Sequence, residues 1–232
     1  MAIPNDSTPA GKLPGLKRYL KTESARLQRW HRDGGGGLEV CLGRSRMIDT
    51  LLRALFEWSL ASFEPTGGAR RLKVSLVAIG GYGRAELSPH SDVDIMLLHN
   101  GSAPSLTRVY RHPLLEKLTG PGGLIYTLYD LGMKVGHSVR NIQDAVNIAN
   151  EDMKTKTSLI ESRLITGDTA LFGQFQQRLE ARCVRNHVDG YLQMRIGDQN
   201  ARRVKFGNSA LLQEPNIKNG CGGLRDYQNL LW

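Results

Sequence analysis

The hydrophobic positions of this chain fall into two periods. Between Leu38 and Phe63, Ile48, Leu51, Leu52, Leu55 and Trp58 recur at steps of three and four, with Arg44, Arg46, Asp49, Arg53 and Glu57 on the other side. That spacing predicts an amphipathic helix. Val74 to Ile79 and Val93 to Leu98 are short and almost wholly apolar, as expected of buried strands. Leu124 to Leu131 is rich in β-favouring residues and predicts a third strand, with Asp130 near its end. Gly132 to Val139 continues as a loop or a further strand. Elsewhere the spacing is helical. Lys17 to Arg32 predicts a basic helix with Leu16, Leu20, Leu27 and Trp30 as a thin apolar face. Pro104 to Leu118 predicts another, which Pro113 should disturb. Beyond Asn141, helices are marked by Ile142, Ala145, Val146 and Ala149, by Thr157 to Ile165, and by Leu171 to Met194 with a break at Gly190.

Glycine and proline divide these segments into an expected domain plan. Residues 1–15, rich in Pro, Ser, Thr and Asn, read as a mobile tail. Gly34-Gly35-Gly36-Gly37 reads as a linker, since no strand precedes it and no Lys-Ser/Thr follows, so residues 1–37 are expected to be flexible. Residues 38–168 hold the expected strands and form one domain. Residues 169–232 begin a helical domain, expected to be truncated because the chain stops inside Leu230-Leu231-Trp232. The fold class is α+β, with a small mixed sheet flanked by helices. No internal repeat is evident.

Composition narrows the function classes. With 31 Lys and Arg against 22 Asp and Glu, the chain carries a net charge of +9, which favours polyanionic partners, nucleotides among them. Cys41, Cys183 and Cys221 lie far apart, with no zinc spacing and no disulfide framework, which suits a reducing cytoplasm. The first residues lack the apolar core of a signal peptide. No apolar run approaches the ~18 residues of a membrane span.

The chemistry concentrates between the first two strands. Gly80-Gly81-Tyr82-Gly83 follows the first, and Asp92-Val93-Asp94 opens the second. Side chains two apart on a strand point the same way, so both carboxylates face one side beside the glycine turn. A dinucleotide fingerprint is excluded because Glu86 stands where a third glycine belongs, and no Walker lysine is present. Two carboxylates against an apolar strand repel each other and lose hydration unless a cation compensates. Magnesium shared with phosphate oxygens does so. Gly80 and Gly81 let backbone N–H groups approach phosphate, and Ser91 adjoins the first carboxylate. Arg84 either meets the triphosphate or is a surface residue of the turn. The constellation suits metal-assisted transfer from a nucleoside triphosphate.

Gly-Gly, a spacer and Asp-x-Asp resemble the signature of the polymerase-β-like nucleotidyltransferases. The fuller string from Gly80 to Asp94 is similar, more narrowly, to the amino-terminal region of the bacterial PII protein uridylyltransferases. Asp130 to Arg140, Ser158 to Asp168 and Glu214 to Asp226 fit the same family in the same order, so the resemblance covers roughly residues 74–232. The family usually has Gly where this chain has Ala85, and Pro where it has Cys221. The resemblance implies a nucleotidyltransferase fold followed by a helical domain. It implies transfer of UMP from UTP to a tyrosine hydroxyl of the PII signalling protein in nitrogen regulation. Family members continue into an HD-type uridylyl-removing domain and two ACT domains. Neither is found in these 232 residues, so uridylyl removal and glutamine sensing are not expected of this chain.

On this reading Asp92 and Asp94 hold two magnesium ions, about 3.5–4 Å apart in such sites. The superfamily's third carboxylate comes from a later strand, and Asp130 is the expected residue, with Glu151 and Asp152 behind it. His137 is expected to be structural, and Glu86 to support the loop. Lys218, Arg225 and Asp226 either fold back towards the site or form a local loop-to-helix cap. Arg70, Arg71 and Lys73, with Arg202, Arg203 and Lys205, leave room for a small-molecule or RNA acceptor, although only 6% of residues are aromatic. A non-catalytic nucleotide-binding fragment is the third reading.

Overall fold

A computed structural model of the chain describes residues 9–63, 72–101, 112–185 and 187–232. The chain forms two units, Met1–Ala145 with Glu161–Phe175, and Val146–Ile160 with Gln176–Trp232. The expected single boundary after residue 168 is thus replaced by a chain that passes between the units three times.

The first unit opens with α1 (Pro9–Arg32) and α2 (Gly37–Ala61). This corrects the expectation of flexibility over residues 1–37 as far as residues 9–37 are concerned; residues 1–8 lie outside the described ones. The thin apolar face of α1 suffices because Leu16 is fully buried and Leu27 nearly so. Gly43 of α2 lets Leu27 approach closely, since a Cβ there would meet Leu27 Cδ2 at 2.5 Å. The four glycines form a tight corner rather than a tether. Gly34 takes φ +98°, the Gly35 N–H bonds to Trp30 O at 3.0 Å, and Glu39 Oε2 accepts from the Gly36 N–H at 2.8 Å.

A mixed sheet follows. β1 (Val74–Ala78) leads into a one-turn helix, α3 (Gly80–Gly83), and then β2 (Val93–His99). α4 (Pro113–Thr119) and α5 (Leu124–Asp130) carry the chain across to β3 (Val135–Asn141). After α6 (Ile142–Glu151) and α7 (Met153–Ile160), β4 (Arg163–Gly167) closes the sheet in the order β3-β2-β1-β4. β1 is antiparallel to β2 and β4, and β3 is parallel to β2, as the helical crossover requires. Ile48, Leu51, Leu52 and Leu55 of α2 pack with Leu76, Ile95 and Leu97 of the sheet and with Leu115, Leu118, Leu124 and Leu128. Each such side chain contributes about 1.5–3 kcal/mol by leaving water.

Two expected elements change identity. Leu124 to Leu131 is a helix because Leu124, Ile125 and Leu128 share one buried face, and that burial overrides β-propensity. The third strand, Val135–Asn141, begins instead inside the stretch read as a loop or further strand. The helix expected over Thr157 to Ile165 ends at Ile160, and Arg163 and Leu164 pair with β1, with Ile165 bulged out of the register. Pro113 begins α4, where its missing N–H costs nothing; residues 102–111 lie outside the described ones.

α8 (Thr169–Leu179) runs into a π-helical turn, Glu180–Val184, before α9 (Val188–Phe206) and α10 (Leu224–Leu231). The break expected at Gly190 falls before Val188 instead, and Gly190 is helical. Within the second unit, Tyr191 shares a hydrogen bond of 2.7 Å with Thr157 Oγ1, and Arg195 stacks 4.2 Å from the Trp232 ring centre.

One short sequence recurs, although no repeat was expected. Gly120-Pro121-Gly122-Gly123-Leu124 and Gly220-Cys221-Gly222-Gly223-Leu224 turn the chain into α5 and α10 in the same way. Gly122 and Gly222 take φ +71° and +72°. The fourth residue's N–H returns to the first residue's carbonyl at 2.9 and 3.0 Å. A Cβ on Gly120 or on Gly220 would meet the carbonyl four residues earlier at 2.7 Å in both cases.

Candidate active site

Asp94 lies on the sheet face opposite the main core. Val93, Ile95 and Leu97 point into that core, so Asp94 between them points away. Asp92, just before the strand, is exposed, and Asp94 is half-buried. Burial, and then the charge of Asp92, hold the Asp94 carboxyl above the usual carboxylate range. Room for it is made by β3. Asp94 pairs with Gly136, and a Cβ on Gly136 would overlap Asp94 Oδ1. The sequence reading did not single out Gly136; its one signal was a glycine inside an otherwise β-forming run.

The glycine turn sits beside this strand, because the Ile79 N–H bonds to Asp94 O at 3.1 Å. Gly80 takes φ +59°, which only glycine adopts without cost. A Cβ on Gly81 would meet nothing closer than Arg84 Nη2 at 3.7 Å, so the fold itself does not demand glycine there. Gly83 is enclosed, since a Cβ would run into Glu161 O. Ala85 takes φ +62°, a left-handed conformation held by a residue with a Cβ. Ser91 is exposed, its N–H bonded to Ser88 O at 3.0 Å.

A network that sequence reasoning missed fixes the turn from behind. Asp49, expected on the polar side of α2, is 6% exposed. Its carboxylate accepts from Tyr82 Oη at 2.6 Å and from Arg163 Nη1 and Nη2 at 2.8 and 3.1 Å. Arg163 also donates from Nη2 to Tyr82 O at 3.3 Å and from Nε to Gly83 O at 3.2 Å. Removing one partner of such a buried pair costs about 3–5 kcal/mol. Ser45 Oγ accepts from the Leu87 N–H at 3.2 Å. A large aromatic between glycines, Tyr82, was the available signal.

Other candidate residues have definite places. Arg84 is committed to two carboxylates, to Glu86 at 2.8 Å and to Glu161. Asp130 closes α5, exposed, rather than a strand. Among the described residues no three His, Cys, Asp or Glu side chains gather to hold a metal ion, so Asp130 does not join Asp92 and Asp94 in such a group. Asp152 caps α7 through the Thr155 N–H at 2.7 Å, and Glu151 ends α6. His137 Nδ1 meets Tyr129 Oη at 3.3 Å, in keeping with a structural role. Lys73 pairs with Asp168 at 3.1 Å; Arg70 and Arg71 lie outside the described residues. Asp226 accepts from Arg202 Nη2 and from the Gly222 N–H, both at 3.0 Å, which is the local loop-to-helix cap.

The family described as GlnD PII-uridylyltransferase matches residues 190–232. A bifunctional uridylyltransferase/uridylyl-removing enzyme of Rhodospirillum rubrum is 33% identical over 207 residues, 88% of this chain and 21% of that protein. One from Erythrobacter litoralis is 35% identical over 197 residues, 84% of this chain and 20% of that protein. The chain therefore spans about a fifth of the length of these relatives. Among the described residues no helix is long and apolar enough to cross a membrane. Over most of its length, this chain is similar to a region of the bifunctional uridylyltransferase/uridylyl-removing enzymes, and over residues 190–232 to the PII-uridylyltransferase family.

Proposed function

We propose that this chain transfers UMP from UTP to a tyrosine hydroxyl of a PII signalling protein, in the cytoplasm, as part of nitrogen regulation. The carrying observation is Asp94. Its carboxylate is half-buried beside Asp92, with no cation paired to it among the described residues, and it adjoins the glycine turn. That donor set fits magnesium, a hard cation that takes carboxylate oxygens. Asp92 and Asp94 would hold it, while Asp130 is left out of the metal set. Bound there, magnesium supplies charge neutralisation for the triphosphate and acidifies the acceptor hydroxyl.

The chain's own part is positioning. Gly80 and Gly81 leave the N–H groups at the start of α3 without acceptors inside the turn, open to phosphate oxygens. Gly81 can accept a Cβ without a clash inside the protein, so its lack of one serves a group from outside. Asp94 lies on β2 against Gly136 of β3, whose missing side chain leaves room for its carboxylate.

The test is transfer of label from α-labelled UTP, with magnesium, to a PII protein, using Asp92→Asn/Asp94→Asn as control. Label on the PII tyrosine, lost in the control, is the expected result. Metal-dependent UTP binding with no transfer to any acceptor would refute catalysis and leave a binding fragment.

A further inference from the structure

We infer that Arg163, through Asp49, is the positioning residue of the phosphate-facing glycine turn, and that Arg84 is a structural clasp rather than a phosphate ligand. The inference rests on the nucleotide-binding reading above and names residues that reading does not use.

The turn leaves β1 and must hold its first N–H groups in fixed directions. A one-turn helix does not do this alone, since three of its four residues, Gly80, Gly81 and Gly83, are glycines with the widest backbone freedom. The restraint comes from its far end. The carbonyls of Tyr82 and Gly83 both accept from Arg163. The same guanidinium grips both oxygens of Asp49, a fork that lysine cannot reproduce. Tyr82 Oη closes the loop on Asp49, and the ring itself is 1% exposed. Three elements, α2, α3 and β4, are thereby tied at one carboxylate. Arg163 is assigned to positioning because it donates to Asp49 and to the carbonyls of the turn itself.

Arg84 belongs to the same arrangement. Its side chain is 17% exposed, and two of its three nitrogens are engaged, Nε with Glu86 and Nη1 with Glu161. Glu161 stands two residues before Arg163, so the turn that leads into β4 and the first residue of β4 both hold the glycine turn. A guanidinium shared between two carboxylates has little charge left for a triphosphate.

The test separates metal binding from triphosphate binding in the same chain. Manganese affinity, read by paramagnetic resonance, reports Asp92 and Asp94. Affinity for magnesium-UTP reports the turn as well. Arg163→Lys is expected to keep manganese affinity and raise the magnesium-UTP Kd about tenfold or more. Tyr82→Phe, which removes one hydroxyl and leaves the ring packed, should give a smaller loss in the same direction. Glu161→Gln and Arg84→Gln should each weaken magnesium-UTP, with a double variant no worse than the single ones. Unchanged magnesium-UTP affinity in both folded Arg163→Lys and Tyr82→Phe would overturn the positioning role. Tighter binding in Glu161→Gln would overturn the clasp, because it would mean that a freed Arg84 serves phosphate. A wild-type chain that binds manganese but not UTP would sink the nucleotide reading itself, a result distinct from either.

Discussion

Replacing Gly136 by Ala probes whether the position of Asp94 matters more than its charge. A Cβ at Gly136 would fall well inside 3.0 Å of Asp94 Oδ1, a separation that real Cβ atoms essentially never show. To regain ordinary contact at 3.4 Å, the carboxylate or the strand has to give by about 1 Å. Turning Asp94 off its rotamer costs about 0.5–1.5 kcal/mol. Replacing glycine by alanine inside a strand returns roughly 0.5–1 kcal/mol. The two nearly cancel, so thermal stability should move by only about 1 kcal/mol in either direction. A 1 Å displacement of a reacting constellation, by contrast, can cost on the order of 100-fold in rate. The assay is UMP transfer with magnesium, run beside a melting curve. A fall of about two decades with a nearly unchanged Tm is expected. A folded Gly136→Ala chain with wild-type turnover would refute the argument that β3 sets the Asp94 carboxylate.

Further expectations concern charge and backbone. The raised Asp94 pKa means that folding penalises the ionised carboxylate relative to the unfolded chain. This contribution to stability is full below the ordinary carboxylate range and is lost as pH rises through the folded value. Asp94→Asn should therefore melt at a higher temperature than wild type at pH 7, with the gap closing below about pH 4, although transfer is abolished. Ala85→Gly relieves the left-handed φ of +62° and should stabilise by about 1 kcal/mol, read by urea denaturation. Cys221→Pro should stabilise by about 0.4–1 kcal/mol, because Pro121 already occupies the equivalent corner ahead of α5.

The sequence made the glycine turn, the two carboxylates and the long second helix legible because each is a local pattern. Gly80 needs its positive φ, Asp92 and Asp94 need only the two-residue period, and α2 declares itself by its apolar stripe. What stayed hidden depends on partners distant in the chain. Asp49 looked like a solvent-facing residue because nothing near it foretells Arg163, 114 residues on. Asp130 looked like a strand-end ligand because Leu124 to Leu131 mixes β-formers with a helical burial face, and packing against α4 decided between them. Gly136 was invisible as a site residue because its contribution is the absence of a side chain. The turn-residue alternatives for Arg84 separate only when Glu161 is seen beside it.

The paired Gly-x-Gly-Gly-Leu corners bear on the order in which the chain folds. Each corner is closed by bonds spanning three or four residues, Gly123 to Gly120 and Gly120 to Glu116 in one, Gly223 to Gly220 and Gly220 to Asn216 in the other. The bond from Ser75 to Asp168, which marks the β1–β4 pairing, spans 93 residues. Loop closure over that span costs about 2–3 kcal/mol more than over a handful of residues. The corners can therefore set early and independently, and α5 and α10 inherit starting points before any strand has found its neighbour. A slow search remains only for the sheet, and it is the sheet that finally brings the glycine turn against Asp94.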